Sequence, residues 1–364
     1  MKAMLSAETK RNIYRIVPFS IIWVVFGIVY TLLEKGLLGK LTYYPSTGNP
    51  YNFNRNIFAT PLSALITGLL IGTLEIRYFN KWFIHKSFSK KLLLKSIIYL
   101  AIILLFLVIT LIATTGDVLT AIFKEEFWLN VWAFFTSYAV VSVVVYIAAI
   151  IIVIQFFTEV SESIGLPVLN NFFMGKYHSP IEEERIYMFL DMKSSTTIAE
   201  HLGHVKYFEM LRNYYADISD PIIEYSGEIY QYVGDEIVVT WKLRNGLHNN
   251  NCLQCFFAMK ARLKEQEEKY HEKFGLLPDF KAGFHFGKVT TGEIGVIKKE
   301  IIFTGDVLNT AARIQGLCNS YKVDILISGD LVKRLDLNAQ FHIKTLGENE
   351  LRGRGEKIEI FTII

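Results

Sequence analysis

Two acids 44 residues apart are the side chains in this chain best placed to do chemistry. Asp191 ends the apolar run 186–190 and is followed by Met192, Lys193 and the cluster Ser194-Ser195-Thr196. That pattern predicts a buried strand handing over to a capped helix, with the acid at the strand's C-terminal end beside a helix N-terminus. Asp235 sits in Tyr232-Val233-Gly234-Asp235-Glu236, between the apolar-rich runs 228–233 and 236–241. Gly-Asp is a two-residue hairpin loop, so Asp235 is expected at a hairpin tip. If the hairpin lies beside the first strand, two carboxylates face each other in front of backbone N–H groups. Such an arrangement holds divalent cations against a polyphosphate. Spacing alone is a weak signal, because strand-end aspartates are often simple helix caps.

The elements that must position these acids follow from the pattern after residue 186. A strand at 186–191, helical patterns to about 225, a hairpin at 228–241, a helix over about 249–273, a strand at 279–286, a short hairpin near 287–293, a strand at 300–304 and a helix over 306–318 are expected. Final strands are expected near 324–327, 341–346 and 357–363. This β-α-β-β-α-β order with additions predicts a ferredoxin-like α/β sandwich. About 180 residues suffice for one core.

The first half reads differently. The chain of 364 residues is 51% hydrophobic yet 20% charged, the balance of a membrane part joined to a soluble part. Four transmembrane helices are predicted, at about 16–33, 57–76, 96–115 and 128–154. They form a membrane domain over 1–157, followed by a coupling helix and linker over 158–183 and a catalytic domain over 184–364. A signal peptide is the competing reading of the first run, but the run is long and no small-residue cleavage site follows it, which favours an uncleaved anchor. Residues 77–95 carry Arg77, Lys81, Lys86, Lys90, Lys91 and Lys95 without an acid, whereas 116–127 carries Asp117, Glu125 and Glu126 against Lys124. The basic loop belongs inside, which makes the protein multi-pass in the cell membrane with both termini cytoplasmic. Glu75 and Arg77 read as a snorkelling pair at a membrane end. The last helix is expected to continue past the bilayer until Gly165 and Pro167 stop it. A net charge of +3 implies no nucleic-acid partner. Cys252 and Cys255 read as core-facing residues one helical turn apart, and isolated His178 as no ligand.

Six ordered motifs resemble the class III nucleotidyl cyclase catalytic domain, over roughly residues 184–364. They are Phe189-Leu190-Asp191, Val233-Gly234-Asp235-Glu236, residues 281–287, Gly292-Glu293-Ile294-Gly295, residues 305–313, and Arg352-Gly353-Arg354-Gly355-Glu356. The resemblance implies that Asp191 and Asp235, with Met192 beside them, hold two Mg²⁺ or Mn²⁺ ions. One metal lowers the pKa of the ribose 3′-hydroxyl and the other neutralises the triphosphate, so that the 3′-oxygen attacks the α-phosphorus and expels pyrophosphate. Met192, Ser194, Ser195 and Thr196 then open a helix whose N–H groups face phosphate, although the family's usual Gly-Phe-Thr is Ser-Ser-Thr here.

By the same resemblance Asn309 orients the ribose and Arg313 stabilises transition-state charge; four apart, they share one helical face. Arg352 takes the place of the terminal-phosphate lysine, and Lys288 is a second basic phosphate contact. Lys281 is expected to read adenine, favouring ATP, while the second base-reading position is the apolar Ile302. The family further implies a head-to-tail homodimer, with one protomer's aspartates facing the other's Lys281, Asn309 and Arg313. The implied partners are ATP, a second copy and membrane lipid, and the implied product is cyclic AMP. A guanylate cyclase, a diguanylate cyclase and a catalytically silent membrane sensor are the rival readings. The Lys281 and Asn309/Arg313 segments have no place in the diguanylate enzyme.

Overall fold

The structure, a computed structural model, describes residues 7–45, 50–79, 82–83, 86–114, 125–165, 168–169, 171, 174–337, 341–351 and 357–364. Two compact units result, one of Asn12–Asn170 and one containing Asn171–Ile364.

The first unit is helical: α1 (Ala7–Leu38), α2 (Phe53–Leu74) extended by a π turn at Glu75–Phe79, α3 (Phe88–Thr114), α4 (Glu125–Thr136) and α5 (Tyr138–Ile164). Among the described residues, Ile16–Leu38, Phe53–Phe79 and Val140–Ser161 are long and apolar enough to cross a membrane. The expected run 96–115 falls on α3, and its last residue lies outside the described ones. The expected fourth span is not one helix. Ser137 breaks it, its hydroxyl accepting from the Val140 N–H at 3.4 Å as the N-cap of α5. A serine that caps a helix start is invisible to an apolar-run count. At the other end α5 stops where expected, at Gly165, whose φ of 93° takes the chain out of the helix.

Glu75 does not snorkel. It is 2% exposed and accepts hydrogen bonds from the Lys95 ammonium and the Tyr99 hydroxyl of α3. Lys95 also reaches Glu159 of α5, at 3.2 Å. A carboxylate inside an apolar bundle must be paired, and these partners lie on other helices, where local sequence gives no hint of them. Arg77 remains exposed.

The second unit is built on a sheet of β1 (Ile181–Met192), β2 (Glu228–Val233), β3 (Glu236–Lys242), β4 (Phe280–Ile294), β5 (Glu300–Thr304), β6 (Ile325–Ser328), β7 (Ile343–Glu350) and β8 (Lys357–Ile363). The strand order is β2-β3-β1-β4-β6-β8-β7, with β5 paired to the far end of β4. Helices α6 (Ser195–Leu202) and α7 (His204–Glu224) join β1 to β2, and α8 (Asn251–Glu265) and α9 (Glu267–Phe274) join β3 to β4. Helix α10 (Asp306–Gly316) follows β5.

Alternation along β1 decides what lies where. Ile186, Met188, Leu190 and Met192 enter a core with Tyr214 and Ile218 of α7 and Phe256 and Met259 of α8. Tyr187 and Phe189 face the other way, against Val307 and Ala311 of α10. Each such side chain fully buried contributes roughly 1.5–3 kcal/mol. Asp191 therefore emerges on the α10 face. Cys252 and Cys255 are buried core thiols.

Two boundaries differ from expectation. Strand β1 begins at Ile181 within the acidic run, because its pairing with β4 continues from Asp191↔Lys281 back to Ile181↔Thr291. Inward-facing Glu183 is satisfied there by the Thr291 hydroxyl at 2.8 Å and by Arg185. The same pairing makes β4 one strand of 15 residues where a strand and a short hairpin were expected.

Candidate active site

Pairing of β1 with β3 ends at Leu190↔Ile237, so Asp191 stands one step beyond it, beside the β2–β3 turn. Val233 pairs with Glu236 across Gly234-Asp235, and Gly234 has a φ of 64°. Positive φ at the first central residue is the type II′ pattern, which favours glycine. The turn is anchored from α7: the Tyr215 hydroxyl donates to the Gly234 carbonyl at 2.9 Å, and its ring packs on Tyr232 with centroids 4.6 Å apart. Below it, fully buried Arg185 ties β1 to Thr240 of β3 at 3.1 Å and to Glu228 of β2.

The two acids thus meet. Burial pushes the Asp191 carboxyl above its ordinary range, a hydrogen bond from Lys281 opposes that shift, and the neighbouring charge of Asp235 adds to it. Glu236 is pushed up too, by burial and then by Asp191 and Asp235. Oδ2 of Asp235 is buried without a hydrogen-bond partner. Crowded carboxylates with an orphaned oxygen are what a cation would relieve. Among the described residues no group of three or more His, Cys, Asp or Glu side chains could hold an ion. Were a hard divalent cation held here by the two carboxylates, backbone oxygens, water and phosphate would have to complete its shell.

Lys281 is directly opposite Asp191 on β4, 8% exposed, with its ammonium 3.3 Å from Asp191 Oδ2 and 3.1 Å from Asn319 Oδ1. Within the single chain its ammonium thus contacts that chain's own aspartate. A second donor was not foreseen: Gln315 of α10 reaches Asp191 Oδ2 from Nε2 at 3.2 Å. The helix lies close enough because β4 has Gly283 beneath it, where an added Cβ would fall 2.3 Å from the Gln315 nitrogen. Gly283→Ala is expected to push α10 off β4, lowering melting temperature and turnover together, since overpacking costs about 1–3 kcal/mol. Unchanged melting and turnover in this variant would show that the close approach is dispensable. No sequence signal marks Gln315, because its contact depends on this packing.

Other expected residues fall around this centre. Met192 is 2% exposed in the core, so only its backbone can serve a ligand. Ser194 stands at the N-cap of α6 in the left-handed region, with a φ of 54° and no side-chain cap bond. The expected cap is absent, and Ser195 and Thr196 open the helix with N–H groups that the Ser194 side chain does not take. Tyr207 of α7, also unforeseen, has its hydroxyl pushed up by burial and by Asp235, with a hydrogen bond to Ser195 opposing.

Asn309 is exposed on α10, and Arg313, one turn on, has Nη1 buried with no hydrogen-bond partner. Ile302 is half-buried on β5. Lys288 is not gathered with the acids: it pairs with Glu184 seven positions along β4 and lines an open cleft with His285, Asp306, Lys333 and Arg334. Arg352 lies outside the described residues.

The family model for the adenylate and guanylate cyclase catalytic domain matches residues 178–364. Adenylate cyclase 2 of Rhizobium meliloti is 34% identical over 222 residues, which span 61% of this chain and 61% of that protein. Adenylate cyclase 1 of the same organism is 27% identical over 188 residues, 50% of this chain but 28% of that protein. Among solved structures, a bacterial light-regulated adenylyl cyclase shares the fold with a TM-score of 0.52 at 21% identity, over 60% of this chain and 64% of that one. A match running from before β1 to the last residue, over the strands that carry both acids and the helix that carries Asn309 and Arg313, makes this chain a member of the adenylate and guanylate cyclase family.

Proposed function

We propose that the chain is a membrane-bound adenylate cyclase that converts ATP to 3′,5′-cyclic AMP and pyrophosphate at the interface of a head-to-tail homodimer. The observation that carries this reading is the meeting of Asp191 and Asp235, with an orphaned carboxylate oxygen, in a domain of the cyclase family. Two Mg²⁺ or Mn²⁺ ions held by these acids and the Met192 backbone would supply the Lewis acidity that activates the 3′-hydroxyl and neutralises the triphosphate. The first N–H groups of α6, over Ser194 to Thr196, face the phosphates. Asn309 orients the ribose. Arg313, whose Nη1 has no partner within its own chain, meets the charge developing on the phosphoryl oxygens of the partner's substrate. Lys288 and Arg352 remain proposed phosphate contacts. The β1–β4 core is read as ferredoxin-like, and the helical unit as four spans over 1–157 with both termini cytoplasmic.

For Lys281 the surroundings favour a role other than base reading. Its ammonium lies 3.3 Å from Asp191 Oδ2, a contact that supports a role on the phosphate side of the reaction. Preference for ATP is then supported by the relatives, which are named adenylate cyclases, more than by any side chain. Because Ile302 leaves no polar group unpaired by a wrong base, discrimination against GTP should be modest.

The test is the product made by the purified full chain from ATP or GTP with Mg²⁺ or Mn²⁺. Cyclic AMP is expected, with kcat/KM higher for ATP. Lys281→Glu separates the two roles: loss of about 10²-fold with both nucleotides fits a phosphate role, whereas loss with ATP alone restores base reading. Cyclic GMP as the main product would make the chain a guanylate cyclase, and no cyclic product from either nucleotide would leave the silent-sensor reading.

A further inference from the structure

Asp191 Oδ2 has two donors of different kinds, the ammonium of Lys281 at 3.3 Å and the amide of Gln315 at 3.2 Å. Arriving cations repel the ammonium, and a triphosphate offers it stronger partners. The amide is neutral and loses nothing when cations arrive. Gln315 is 7% exposed, and its backbone is seated on Gly283 of β4, two residues from Lys281, so its reach toward Asp191 is set by the sheet. A group that hydrogen-bonds a ligating carboxylate orients it, and losing such a group typically costs 10–100-fold in metal affinity or activity.

We propose that Gln315 is a positioning residue for the metal carboxylate, holding Asp191 in its ligating orientation without adding charge to a site already crowded with acids. This rests on Asp191 and Asp235 being metal ligands. The amide suits the place better than a carboxylate would, because a third acid against Asp191 would raise the repulsion already felt from Asp235. It suits it better than an ammonium, which would compete with the cation.

The experiment measures Mn²⁺ binding to the nucleotide-free full chain from the paramagnetic resonance of free Mn²⁺, for wild type, Gln315→Leu, Gln315→Met and Asp235→Asn. The Leu and Met variants keep the volume and lose the donor. They are expected to bind Mn²⁺ about 10–100-fold more weakly, with wild-type melting, and to recover turnover as Mn²⁺ is raised. Asp235→Asn is expected to lose binding. If both Gln315 variants bind as wild type does while Asp235→Asn fails, the positioning role is overturned and the metal site stands. If Asp235→Asn also binds normally, the metal reading itself falls. Early melting of both Gln315 variants, with turnover lost even at saturating Mn²⁺, would overturn the proposal in favour of a packing role.

Discussion

Asp191→Asn and Asp235→Asn are each expected to abolish cyclisation while leaving the catalytic domain folded. Removing one transition-state donor costs about 10²–10³ in rate, and a variant that cannot hold its cations should lose more than that. Asparagine is the right replacement at 191, because alanine would leave the Gln315 amide without its acceptor and the buried Lys281 ammonium with Asn319 alone. The amide keeps an oxygen for them and removes only the charge proposed to bind metal. Stability should move the other way at 235. Burial leads the rise of the Asp191 and Glu236 carboxyls and Asp235 adds to both, so the folded metal-free site carries like-charge repulsion that Lys281 offsets at Asp191. Asp235→Asn relieves it, and the inactive variant should melt no earlier than wild type, a function-for-stability exchange common at active sites. Turnover is measured by cyclic nucleotide production and melting by circular dichroism without added metal. Near-normal turnover in either variant would remove the two acids from the reaction.

Much of the site was legible because it follows from period and turn chemistry. An apolar run ending in Asp191 and a Gly234-Asp235 loop between two strand patterns are local signals, and the two acids meet because β3 pairs beside β1. What was illegible depends on register and close approach. Lys281 opposes Asp191 because β4 pairs along the full length of β1, a register that the acidic residues 182–184 conceal. Gln315 reaches Asp191 only because Gly283 admits a helix onto β4. In the helical unit the same division holds. Helix α5 and its Gly165 stop follow from sequence, whereas the burial of Glu75 against Lys95 is a contact between helices, and the Ser137 cap is a single hydroxyl within an apolar run.

Helix α10 gives the second large prediction its form. Gln315 turns toward the Asp191 of its own chain, yet Asn309, six residues earlier, is exposed, and Arg313 carries a buried nitrogen without a partner. Six residues along a helix are about 9 Å, so Asn309 and Gln315 need not serve the same nucleotide. In a head-to-tail dimer with a two-fold axis, one protomer's acids complete the site with the other's Asn309 and Arg313. Asp191→Asn and Asn309→Ala chains should therefore each be inactive alone and active when mixed. With random pairing half of the dimers are mixed, and one of their two sites is assembled from intact halves, so about a quarter of wild-type activity is expected. Differently tagged chains, co-expressed and purified through both tags, isolate the mixed dimer, whose expected activity is about half that of wild type by the same counting. An inactive mixed dimer would mean that Asn309 works on the acids of its own chain, and that each protomer holds a complete site.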